Sequence, residues 1–169
     1  LDDPERRLFR RLAVFARGRT LEAIEGVCSG EGVESFEIVD LLTQLVDEAV
    51  VYVEKAPGQD ARYFILETIW DYANEKLIEA GEAEPFRIRH LDYFLHFAED
   101  AAPKIRGPEQ REWLEIFEQE EFNIRYAFDA AAELPGQVAK GLRLLAATQR
   151  FVEVRGLFKE AREIFERLL

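Results

Sequence analysis

The chain has no methionine and a single cysteine, Cys28. One thiol cannot close an internal disulfide, so the expected setting is a reducing cytoplasm. Cys28 falls in the apolar pattern of a short helix and reads as a buried structural thiol. No apolar run approaches the roughly 20 residues needed to span a bilayer, and no basic-then-apolar leader opens the sequence. A membrane partner is therefore not expected. The phosphate-cradling pattern GxxxxGK[ST] is missing. The two histidines, His90 and His96, stand six apart, so they do not share a helix face as an i,i+4 metal pair would. No catalytic, metal or cofactor site is expected within the chain. Positive charge is also scarce: the net charge is −12, and residues 33–48 contain no Lys or Arg.

What is present fits a soluble, folded chain. Of 169 residues, 48% are hydrophobic and 33% charged, which suits one domain or two small ones. The sequence starts at Leu1 without Met and stops in mid-pattern at Arg167-Leu168-Leu169. We therefore expect a segment excised from a longer protein.

Asp3 before Pro4 predicts a helix start, with Asp3 as the N-cap and proline at the first helical position. Leu8, Leu12 and Phe15 line one face of that helix, which Gly18 ends. Thr20 caps a second helix over 21–28, and Gly30-Glu31-Gly32 breaks the chain. Ser35 caps a third helix reaching Asp47, with Ile38, Leu41, Leu42 and Leu45 on its core face. The period then changes from 3.6 to 2. The spacing predicts strands over 50–53 and 62–65 around the turn Pro57-Gly58-Gln59-Asp60. A fourth helix follows over 68–80 and stops at Gly81. Three helices, a two-stranded wing and a closing helix make the winged-helix order.

The remainder predicts only helices. Leu91, Phe94, Leu95 and Ala98 stripe one, with Pro103 and Gly107-Pro108 behind it. Trp113, Leu114 and Phe117 mark a second, and Ile124, Ala127, Phe128 and Ala131 a third. Beyond Leu134-Pro135-Gly136, a long helix carries Val138, Leu142, Leu145 and Val152, and a last one runs over 157–169. Breaks this short favour antiparallel neighbours. The expected fold is mainly α: a winged helix over 1–81, then a helical linker of antiparallel hairpins over 82–169.

Several segments carry a resemblance. The run from Leu8 to Ala16 (LFRRLAVFA), together with that from Thr20 to Cys28 (TLEAIEGVC), resembles the opening of the winged helix in MalT/LuxR-like and AfsR-like ATPases of the STAND class. Residues 41–51 (LLTQLVDEAVV) resemble its third helix and strand. Trp113-Leu114 with the EEFNIR run of 120–125 resembles the segment between that module and a tetratricopeptide array. Gly156, Phe158, Ala161, Phe165 and Leu168 reproduce the second-helix register of one such repeat. The resemblance covers essentially the whole chain.

It implies a non-catalytic regulatory segment of a larger transcriptional regulator. ATP or ADP would be held by an upstream nucleotide-binding domain, which becomes the first expected partner. A regulatory protein or small inducer captured by the repeat array would be the second. In the wider family a Met-His-Asp motif, whose histidine approaches the β-phosphate of ADP, sits where the last strand meets the last helix. That position here is Leu66-Glu67-Thr68. A carboxylate repels phosphate unless a cation intervenes. Two readings of Glu67 and Thr68 therefore stand: a nucleotide-state-dependent domain contact, or a helix start in which Glu67 favours the dipole and Thr68 caps.

Arg6, Arg7, Arg10, Arg11, Arg17 and Arg19 form the one dense basic stripe. Arg6/Arg10 and Arg7/Arg11 are i,i+4 pairs. They read either as a docking surface for an acidic partner, phosphate or a neighbouring domain, or as a face that is solvated or paired with the protein's own acidic surface. Direct nucleic-acid binding is not expected. A DNA-reading third helix needs Arg, Lys, Asn or Gln at base edges, whereas this one carries Glu34, Glu37, Asp40, Asp47 and Glu48, and the wing offers only Lys55 and Arg62. The alternative is a stand-alone winged-helix DNA-binding transcription factor with a helical dimerisation or ligand domain.

Overall fold

A computed structural model describes residues 2–169. The chain is mainly helical, with one small antiparallel sheet. It divides into two compact units, one ending at Phe86 and one running from Arg87 to Leu169.

In the first unit, α1 (Asp3–Arg11) continues into a 3-10 turn over Leu12–Val14. The N-cap is Asp2, one residue before the expected Asp3. Its carboxylate accepts from the Glu5 N–H, and the Glu5 side chain accepts from the Asp2 N–H. A reciprocal capping box outranks a lone acceptor before proline. β1 (Arg19–Thr20) follows, then α2 (Leu21–Cys28), capped as expected by the Thr20 hydroxyl accepting from Ala23 N–H. A 3-10 turn over Ser35–Glu37 leads into α3 (Ile38–Asp47). The N-cap position at that entry is Glu34, not Ser35, and its N–H donates to the Glu37 carboxylate. β2 (Tyr52–Glu54), β3 (Arg62–Phe64) and α4 (Glu67–Glu79) complete the unit.

The sheet order is β1-β3-β2, with Arg19 opposite Tyr63 and Val53 also opposite Tyr63 across the central strand. A two-residue strand between the first two helices thus adds to the expected two-stranded wing, and the connectivity is that of a winged helix. β1 is too short for alternation to show in the sequence; its pairing with β3 is what makes it a strand. Leu8, Phe15, Ile24, Ile38, Leu42 and Leu45 form the buried centre.

α5 (Ala83–Ile105) begins in the first unit and runs on in the second. α6 (Gln110–Glu133), α7 (Val138–Arg155) and α8 (Phe158–Leu168) complete the chain. α6 is one helix of 24 residues, where the stripes suggested two. Nothing between Phe117 and Ile124 breaks a helix, and burial of Leu114, Phe117, Ile124 and Phe128 is continuous along it. Pro103 lies inside the last turn of α5 and does not end it.

Pairings along the helices give their directions. Arg87 meets Glu133, Glu118 meets Arg155 and Asp129 meets Arg167. α5/α6 and α6/α7 are therefore antiparallel. Phe97, Phe117 and Phe151 join α5, α6 and α7 through ring centroids 5.4 and 5.1 Å apart. Gly141 is where α7 comes closest to its neighbours: a Cβ there would lie 2.8 Å from the Ala131 Cβ and 2.6 Å from the Leu168 Cδ2. α7 ends at Gly156, in the left-handed conformation with φ 70°, which glycine adopts without steric cost.

Candidate functional site

The basic stripe of α1 is mostly committed inside the first unit. Arg11 is fully buried, which corrects the docking and solvated readings for this residue and leaves pairing with the protein's own acidic residues. Its Nη1 donates to the carbonyls of Cys28 (3.0 Å) and Gly30 (2.6 Å), and its Nη2 to Glu31 O (3.1 Å) and Glu82 Oε1 (3.0 Å). The guanidinium also lies 4.4 Å from the centroid of the Phe86 ring. Arg10 donates through Nε to Glu82 Oε2 at 2.6 Å. Arg7 donates to Glu31 O at 3.1 Å. Of the four arginines read as a docking face, Arg6 alone is exposed.

The local sequence explains this arrangement. Gly30, Glu31 and Gly32 all have positive φ, at 88°, 51° and 85°, so the loop turns its carbonyls toward α1. Helix spacing then brings Arg7 and Arg11 to the same loop one turn apart. Burial pushes the Glu82 carboxyl up, but the hydrogen bonds from Arg10 and Arg11 outweigh it and hold the group below the ordinary carboxylate value. Glu82 is the residue that sequence reasoning missed. Its one local signal was a carboxylate directly after the helix-ending Gly81, and its partners lie about 70 positions away.

Arg19 is also buried, and it donates weakly to Tyr63 O and Leu12 O, both at 3.4 Å. Burial lowers its pKa to about 10. In the wing, Arg62 donates to Gly18 O at 2.6 Å, so the protein's own backbone engages it. Trp70 donates its indole N–H to Phe15 O at 3.2 Å, a structural anchor.

Glu67 and Thr68 sit exposed at the start of α4. Glu67 is in the first turn, where its charge suits the helix dipole. Leu66 occupies the N-cap and no side chain caps the helix, so the capping role read for Thr68 is corrected: it lies two positions inside the N-cap.

α3 presents two unlike faces. Ile38, Leu42 and Leu45 are buried, whereas Phe36 is 81% exposed and Val39 47%. Asp40, Thr43, Gln44 and Asp47 continue the outer face and are exposed too.

In the second unit, Glu120 and Asn123 of the EEFN run are both buried, and Asn123 Nδ2 donates to Glu120 Oε2 at 3.0 Å. Spacing of three on one helix brings them together. Gly156, Phe158, Ala161, Phe165 and Leu168 do not share one environment: Leu168 is buried, while Phe158 is 61% exposed and Phe165 44%. An apolar recess of about 60 Å³ lies among α6, α7 and α8, lined by Phe117, Ile124, Phe128, Phe151, Leu157 and Ile164. Benzene occupies an engineered cavity of about 150 Å³, so this recess is small for a ring-sized ligand. Among the described residues, no group of three or more His, Cys, Asp or Glu side chains could hold a metal ion, and no helix is long and apolar enough to cross a membrane.

The whole chain is similar to proteins of Mycobacterium tuberculosis and Mycobacterium bovis that bear the provisional name HTH-type transcriptional regulator. The identity is 34% over 169 residues, covering 100% of this chain and 19% of each relative. The chain thus spans about a fifth of the length of these curated relatives. A second, uncharacterized protein of Mycobacterium tuberculosis is 41% identical over 91 residues, covering 53% of this chain and 23% of the relative. No family model matches the chain, and no solved structure matches it.

Proposed function

We propose that this chain is a non-catalytic regulatory and protein-interaction segment of a larger transcriptional regulator, working in the cytoplasm. The observation that carries the reading is a winged-helix unit whose third helix has an acidic outer face. Phosphate contacts supply much of the affinity for DNA and need cations, and none lies between residues 33 and 54. Likeness along the full chain to proteins named as transcriptional regulators supports the regulatory part.

In finer form, the parent is a STAND-type ATPase regulator. The winged unit docks on an upstream nucleotide-binding domain that holds ATP or ADP, and the helical unit leads into an array that captures a regulatory protein or inducer. The exposed Glu67 and Thr68 at the start of α4 would report nucleotide state, biasing a closed-to-open equilibrium. Arg6, the exposed one of the four α1 arginines, is left to face a neighbouring domain. The competing reading, a winged-helix factor that itself binds DNA, draws support from the names of the relatives.

Fluorescence anisotropy of labelled mixed-sequence duplex DNA at low salt separates the two, because low salt is the most permissive condition for phosphate attraction. The expected result is no binding. Binding that weakens steeply with salt overturns the proposal in favour of the DNA-binding factor. In the longer parent, Glu67→Ala is expected to change basal ATPase activity or transcriptional output. Unchanged output at normal stability would remove Glu67 as a sensor.

A further inference from the structure

The outer face of α3 and the turn before it combine two features. One is an apolar knob: Phe36 at 81% exposure, with Val39 beside it at 47%. Aromatic side chains are enriched at the centres of protein interfaces and are costly to leave in water. Across the turn, Glu34 N–H donates to Glu37 Oε2 at 3.3 Å and Glu37 N–H to Glu34 O at 3.0 Å. Phe36 is therefore presented on an ordered turn.

The other feature is uncompensated negative charge. Glu34, Glu37, Asp40, Asp47 and Glu48 lie on or beside this face. None of the five forms an ion pair among the described residues. In the second unit Asp92, Glu99, Glu118, Asp129 and Glu133 each meet an Arg or Lys, though Asp100, Glu109 and Glu112 do not among the described residues. No Lys or Arg occurs between residues 33 and 54 to neutralise the patch from within.

We infer that this face is a docking surface for a basic protein segment: one whose Arg and Lys side chains surround an apolar recess that receives Phe36. An apolar centre with a charged rim is the usual anatomy of such contacts. Opposite charge around it would set orientation and speed encounter. The same charges repel nucleic acid. The inference rests on the protein-interaction reading above and assigns that interaction a place and a sign.

The test is a titration of the 169-residue chain with a synthetic amphipathic Leu/Lys/Arg helical peptide, followed by backbone amide chemical shifts. The matching Leu/Glu peptide and a short DNA duplex form parallel arms. The expected perturbations cluster over residues 34–48 and shrink as salt rises. Phe36→Ser and the double variant Glu34→Lys/Asp40→Lys should each weaken the apparent affinity about tenfold or more while melting as the parent does. Two variants with different chemistry guard against a loss due to misfolding. Perturbations centred on another surface such as α8, undiminished binding in both variants, or no binding of the basic peptide would overturn this inference and leave the proposed function standing. Perturbation of residues 34–48 by the duplex would overturn both.

Discussion

Replacing Glu82 with Gln tests the least exposed charge arrangement in the first unit. The substitution keeps size and one acceptor but removes the charge that faces both Arg10 and Arg11. The Arg11 side chain is completely enclosed and that of Glu82 is 15% accessible, so water cannot take over the lost interaction at Arg11. Removing one partner of a buried pair costs about 3–5 kcal/mol. Arg11 would keep its bonds to three backbone carbonyls, which lowers the expectation to about 2–3 kcal/mol. For a unit of this size that is a fall in melting temperature of roughly 10–20 °C. The assay is thermal unfolding followed by Trp70 fluorescence in a Trp113→Phe background, so that the first unit alone is read. The pH dependence gives a second readout. The folded-state pKa of Glu82 is depressed, so its stabilisation is fully present above the unfolded carboxylate pKa. It is lost as pH falls through the folded value. The gap between parent and variant should therefore close on acidification from neutrality. A variant melting within about 3 °C of the parent at pH 7, or a gap that widens in acid, would refute the assignment of Glu82 as the carboxylate that holds α1 to the end of the unit.

Two further substitutions probe the backbone. Gly141→Ala would place a Cβ against Ala131 and Leu168. It should destabilise the second unit by about 1–2 kcal/mol despite the better helix propensity of alanine; urea unfolding equal to the parent would show that α7 has room to shift. Ala49 sits at φ 56° directly after α3, a conformation that costs an L-residue about 1–2 kcal/mol. Ala49→Gly should therefore stabilise by about 0.5 kcal/mol after the extra freedom of the unfolded chain is counted, read as a higher urea midpoint.

Much of the fold was legible in the residues themselves. The i, i+3, i+4 stripes of Ile38, Leu42 and Leu45, the Thr20 cap and the change of period before Tyr52 are local signals, because helices and strands are specified by nearest neighbours in the chain. Shared patterning is also why α6 was read as two helices: its apolar stripe thins between Phe117 and Ile124 without any residue that stops a helix. β1 escaped because two residues have no period.

Charge bookkeeping was equally local. The absence of Lys and Arg from residues 33–48 is a property of composition, and it alone argues against groove reading by α3. What the sequence could not determine is which charges are spent. Arg6, Arg7, Arg10 and Arg11 look equivalent as a repeated basic stripe, yet one is exposed and one is fully enclosed. The difference comes from the 28–32 loop and from Glu82, some 70 residues distant, and only the tertiary fold brings these to α1. In the same way, the local pattern around α3 says nothing of Phe36, which the fold leaves 81% exposed. Its exposure follows from the direction of the turn, set by packing of α3 on the rest of the unit and not by the residues of the turn alone.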